Sequence, residues 1–168
     1  MLNDILKYTG IFILLLLIQI LVMDNIGFSG YVNPYVYILF IILLPFDMPP
    51  WLTLIIAFFT GLSIDLFEAT PGLHTSATVF AGFVRPYILT LIAPREGYEK
   101  NDVPGIGLSG FRWFLLYTAL IVLIHHFALF YIEVFRFSHF FQTLGRVIVS
   151  SGFSILFIVI IQSLFIRR

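Results

Sequence analysis

Residues 57–86, AFFTGLSIDLFEATPGLHTSATVFAGFVRP, decide the fold. They read as two apolar helices joined by a tight turn. Asp65 closes the first helix, EATPG at 68–72 makes the turn with Gly72 at its end, His74 and Thr75 open the second helix, and Arg85-Pro86 interrupts it. Ala57, Gly61 and Asp65 recur every fourth residue on one face, flanked by Thr60 and Ser63. Ala77, Ala81 and Arg85 repeat that spacing on the second helix, with Thr78 and Gly82 beside them. Small residues at this interval let two backbones approach closely in lipid, so a tight antiparallel pair is expected. Packing alone accounts for the small residues. The ionisable ones are costly to bury and stand as functional candidates, with an equal case for their being structural anchors.

The two charges of this hairpin do not form one site. With the turn near residue 70, Asp65 lies level with Thr75, whereas Arg85 sits roughly 15 Å deeper at 1.5 Å per residue. Asp65 is therefore expected to accept hydrogen bonds from His74, Thr75 or Thr78, or from the amides that open the second helix. Arg85 is expected to snorkel toward the opposite surface or to meet a polar partner inside the bundle.

Composition sets the class. The chain is 168 residues long, 60% hydrophobic and 11% charged, with a mean hydropathy of +1.05; soluble domains hold about 45–50% apolar and about 25% charged residues. The sequence is that of an all-α integral membrane protein, a single polytopic domain over 1–168 with almost the whole chain given to spanning. Net charge is zero and the basic residues are spread thinly, which removes any case for nucleic-acid binding. The absence of cysteine excludes disulfides, thiolate metal sites and cysteine nucleophiles.

A span needs roughly 20 apolar residues, and six segments come forward: 5–23, 31–46, 51–67, 72–93, 111–134 and 147–166. The first has Lys7 before an apolar core, as a signal peptide would, but no small-residue cleavage site follows, so it reads as an uncleaved span. The second is short. Asn33 would cap it, Pro34 would be its first helical residue, and Pro45 stops it. The polar stretch 94–110 reads as a solvated loop, and FRFSHFFQTLGR at 135–146 as an interfacial turn or short helix.

The positive-inside rule chooses the orientation. With six spans and the N-terminus inside, Lys7, Arg95, Lys100, Arg112, Arg167 and Arg168 are inside, against Arg136 and Arg146 outside. If the second segment does not cross, the balance reverses. The expectation is a six-helix transmembrane bundle, both termini cytoplasmic and the hairpin turn outside.

Other candidates favour packing. His125 and His126 lie near the middle of the fifth span on adjacent faces, without the four-residue spacing of helical metal ligands. A hydrogen-bonded core role is favoured for them over haem ligation or a proton relay. Ser150, Ser151, Gly152 and Ser154 read as a close-packing face. No phosphate-binding loop, dinucleotide motif, hydrolase pair or metal constellation is present, so catalytic, cofactor-binding and metal residues are all set at none and an enzyme is not expected.

The order of features is similar to a known family. Asn33-Pro34 leads a short apolar segment, Gly61-Leu-Ser-Ile-Asp65-Leu follows in the third span, Pro71-Gly72-Leu ends the turn, and a fourth span rich in small residues comes next. This resembles MreD, the multi-span rod shape-determining protein of bacteria. The likeness in span layout covers roughly residues 5–166, and the motifs cover residues 33–86.

The resemblance implies a non-enzymatic protein of the bacterial inner membrane without a cofactor. It would bind the single-span protein MreC and act with MreB, RodA and an elongation transpeptidase in peptidoglycan synthesis and the regulation of cell shape. Membrane lipids are further partners, and a homodimer is left open. Pro34, Ala57, Gly61, Asp65, Gly72, His74, Thr78 and Arg85 are its structural or functional candidates. The family also looks distantly like the six-helix substrate-binding subunits of energy-coupling-factor transporters. That likeness supplies the alternative, a small-molecule-binding transporter subunit with Asp65, His74 and Arg85 lining a ligand pocket.

Overall fold

Proline and glycine punctuate the chain, and the apolar runs between them form helices. The computed structural model describes residues 2–25, 32–135 and 140–164. Among them the order is α1 (Leu2–Ile18), continued by a π-helical turn (Gln19–Met23), then α2 (Leu39–Ile42), α3 (Pro50–Glu68), α4 (Leu73–Leu91), α5 (Ile106–Ser109), α6 (Phe111–Val134) and α7 (Phe140–Leu164), with no strand. Pro50 starts α3 at the first helical position, where a missing N–H costs nothing. Ala69 ends that helix in the left-handed conformation, and Gly72, also left-handed, opens α4.

Four helices are long and apolar enough to cross a membrane: Ile5–Met23, Pro50–Glu68, Phe111–Val134 and Phe140–Leu164. The molecule is a helical membrane protein, but its described residues form four such helices and not six. α4 is 19 residues long, and Arg85, His74 and its threonines lower its apolar character.

The larger correction concerns residues 31–46. Pro34 is not the first residue of a helix: residues 32–36 are non-helical, residues 37–38 turn, and α2 is one turn long. The segment is nevertheless buried from Tyr35 to Ile42 and again at Leu44. At one end Asn33 N donates to Ser150 Oγ (3.1 Å) and Tyr35 N to Ser154 Oγ (2.8 Å). At the other, Phe46 N donates to Asp102 O (2.9 Å), in the loop between α4 and α6. The segment thus threads the bundle from end to end. The physical reason is length: a sixteen-residue helix reaches about 24 Å, short of the about 30 Å hydrocarbon core, and the segment covers the distance with non-helical backbone at 32–36 followed by turns and one helical turn.

Two smaller readings also change. α7 starts at Phe140, so the second half of the expected interfacial segment belongs to a long helix; residues 136–139 of that segment lie outside the described part. The 94–110 loop is not simply solvated. Tyr98 stacks on Phe46 (centroids 4.1 Å apart) and donates to Leu89 O (2.9 Å), and Pro104 and Gly105 are buried. Burial pushes the Tyr98 phenol above its usual range.

α3 and α4 pair antiparallel with little between them. A Cβ on Gly61 would stand 2.5 Å from Thr75 Cα and 2.6 Å from His74 O; one on Gly82 would stand 3.1 Å from Ala57 Cβ. α4 packs on α6 and α6 on α7. Lys7 and Gln162 line one cleft together with residues 103–105, so the beginning of α1 and the end of α7 lie at the end of the bundle that carries the 94–110 loop.

Candidate functional site

Threading backbone through a bundle exposes amides and carbonyls where no water can satisfy them, which is tolerated only where protein groups replace the water. Gln19 supplies two such groups: its Oε1 accepts from Val36 N (2.8 Å) and its Nε2 donates to Pro34 O (3.3 Å). The same Nε2 reaches Asp24 Oδ1 at 2.7 Å. Ser150 and Ser154 supply two more, so the serines of α7 are acceptors for the threading segment as well as small packing residues. At the far end, buried Arg85 donates through Nη2 to Leu44 O and to Pro45 O (3.1 Å), and through Nε to Tyr117 Oη (2.8 Å). Among the described residues no carboxylate reaches it.

Asp65 performs the parallel task for α4. It accepts from Thr70 Oγ1 (3.0 Å), Gly72 N (3.1 Å), His74 N (2.9 Å), Thr75 N (3.0 Å) and Thr75 Oγ1 (2.6 Å). The first amides of a helix have no partner within it, and Gly72 has no side chain to cap them. A carboxylate at the end of the preceding helix fills the gap.

A line of polar side chains runs inward from the same turn. Glu68 Oε2 meets His74 Nε2 at 2.9 Å. His74 Nδ1 meets Tyr37 Oη at 3.0 Å, which in turn meets Thr78 Oγ1 at 3.2 Å and His125 Nε2 at 2.7 Å. His125 Nδ1 faces His126 Nδ1 at 3.5 Å; His126 Nδ1 lies 2.9 Å from Val122 O, and its Nε2 lies 3.0 Å from Ser154 Oγ. Tyr35 inserts its ring among the imidazoles, edge-on to His74 at 4.9 Å and tilted to His126 at 5.5 Å.

Proton positions here follow from counting donors and acceptors. Thr78 Oγ1 gives its proton to His74 O (2.6 Å) and so accepts from Tyr37. Tyr37 then accepts from both His74 Nδ1 and His125 Nε2. The Glu68–His74 contact closes with one proton held between Oε2 and Nε2. Such a line can hold and reorient protons between α3, α4, α6 and α7. Among the described residues no three His, Asp or Glu are placed to hold a metal ion.

The expected site residues therefore divide into three places. Asp65, Gly72, His74 and Thr78 gather at the turn end of the hairpin, with Gly61 against the backbone of His74 and Thr75. Ala57 lies buried further along, opposite Gly82. Pro34 begins the threading segment, and Arg85 holds its end. Sequence reasoning missed Gln19, Tyr37, Glu68 and Tyr117 as members of these networks. Gln19 had a visible signal, an amide inside an otherwise apolar run; Tyr37 had none, because it sits in a turn between non-helical backbone and α2, and no helical spacing links it to the helices around it.

Comparison with protein-family models, with curated proteins and with solved structures gives no match to this chain.

Proposed function

We propose that this protein is a non-enzymatic scaffold of a bacterial inner membrane, acting in the cell-elongation machinery as MreD does and binding a single-span MreC-like partner. Through that partner it would stand beside MreB, RodA and a transpeptidase and help position peptidoglycan synthesis. In this reading the chain crosses six times, with the threading segment as the second crossing, and both termini are cytoplasmic. The resemblance at Asn33-Pro34, Gly61 to Asp65 and Pro71-Gly72 motivates the assignment.

One observation carries the choice of scaffold over carrier. Asp65, His74 and Arg85 do not share a pocket: Asp65 caps α4, His74 bonds Glu68 and Tyr37, and Arg85 holds the Leu44 and Pro45 carbonyls. Two lateral clefts, of about 670 and about 410 Å³, are lined by none of them. Polar groups engaged on the chain's own backbone make a firm bundle whose outer faces are free for partner helices.

The test is co-purification in mild detergent with a single-span elongation protein, run alongside a thermal-shift screen of small soluble ligands. Stable co-purification with no ligand-dependent rise in Tm is expected. A ligand that raises Tm in the native protein but not in His74→Ala would sink the scaffold reading in favour of the transporter subunit.

A further inference from the structure

α1 stands off the bundle. Between residues 5 and 25 it buries only Leu15, Gln19 and Met23. On one flank this leaves a cleft of about 670 Å³ between α1, the segment leading into α5 and the end of α7. The cleft has two chemically distinct ends. Its depth is apolar, with Leu15, Leu39 and Leu43 on the floor and Ile161 on the far wall. Its mouth is polar, with Lys7 on α1 and Gln162 on α7. From Lys7 to Leu15 the helix rises roughly 12 Å at 1.5 Å per residue.

Three properties fix the kind of occupant. Leu14, on the open side, is 42% exposed, so on a spanning helix the cleft opens sideways onto hydrocarbon and not onto water. Lys7 is exposed and places a positive charge at this mouth, its ammonium 5.9 Å from the Tyr8 ring centroid. The cleft is also too short for a partner's spanning helix, which needs about 30 Å. A hydrocarbon chain under an anionic head matches all three. We propose that this cleft binds one anionic glycerophospholipid, its phosphate at Lys7 and one acyl chain against Leu15 and Leu39.

The experiment uses the full chain in nanodiscs of phosphatidylcholine doped with a tracer lipid carrying a photoactivatable acyl chain, either phosphatidylglycerol or phosphatidylcholine. Cross-linked residues are mapped by mass spectrometry. Phosphatidylglycerol is expected to label the walls around Leu14 and Leu39 about fivefold over phosphatidylcholine, the size of one basic side chain's attraction for an anionic lipid. Lys7→Gln should bring the ratio close to one. Leu14→Trp, which fills the open side, should lower labelling by both tracers while Tm stays at the native value. Equal labelling by the two tracers, a ratio unmoved by Lys7→Gln, or labelling confined to other faces overturns the proposal. So does competition by soluble glycerol phosphate, which would mean a headgroup site with no need of the chain. None of these readouts involves a protein partner, so the lipid site and the scaffold reading fail separately.

Discussion

Five donors converge on the Asp65 carboxylate because the helix it caps begins with a glycine. The charge needs no basic counter-ion there: amides and hydroxyls at a helix start carry the positive ends of dipoles. Asp65→Asn keeps the shape but turns one acceptor into a donor facing N–H groups. We expect it to lower stability by about 2–3 kcal/mol, read from the unfolding midpoint followed by Trp51 and Trp113 fluorescence. An unchanged midpoint would show that α4 does not depend on this cap. Asp65 was legible in the sequence, since the register of an antiparallel pair places it beside Thr75. Tyr37 was not, although it joins two histidines and a threonine, because its segment follows no helical period.

At the scale of the element, the α3–α4 pair followed its sequence pattern closely. Small residues every fourth position produced contact between backbones, and the two glycines differ in how much room they leave. A methyl on Gly61 collides with the main chain of α4, which cannot yield without moving the helix. A methyl on Gly82 meets the side chains of Ala57 and Thr53 at 3.1 and 3.6 Å, a contact that a small shift relieves. Gly61→Ala is therefore expected to cost about 3 kcal/mol, at the upper end of overpacking penalties, and Gly82→Ala about 1 kcal/mol or less. Equal effects on Tm in parallel melts would contradict this picture of the interface. The 31–46 segment is the counterexample. Its apolar residues read as a short span, but apolar runs look alike in a continuous buried helix and in a buried segment that is helical for only one turn. The distinguishing information lay elsewhere in the sequence, in Gln19, Arg85 and the serines of α7, which serve its backbone.

For the whole molecule, the beginning of α1 and the end of α7 share one end with the 94–110 loop, and the α3–α4 turn lies at the other. If the basic residues of that loop mark the cytoplasmic side, a reporter active only outside the membrane should be silent when fused after Lys100 and active when inserted at Thr70. Activity after Lys100 would reverse the orientation. The class of protein was readable from composition alone, whereas the number of spanning helices was not. Hydropathy counts apolar residues and does not report how a backbone is hydrogen-bonded.

The threading segment also has a consequence for biogenesis. A helix satisfies its own backbone and can enter a bilayer alone, whereas non-helical chain such as residues 32–36 leaves its amides unmet in hydrocarbon. The amides of Leu39 to Leu44 bond within the segment, but the backbone groups of residues 33–36 and of Leu44 and Pro45 take their partners from the helices before and after them, at Gln19, Arg85, Ser150 and Ser154. Synthesis reaches the last of these partners more than a hundred residues after Asn33, since Ser150 and Ser154 are on α7. The start of this stretch therefore settles late, once α7 is in place to accept its amides.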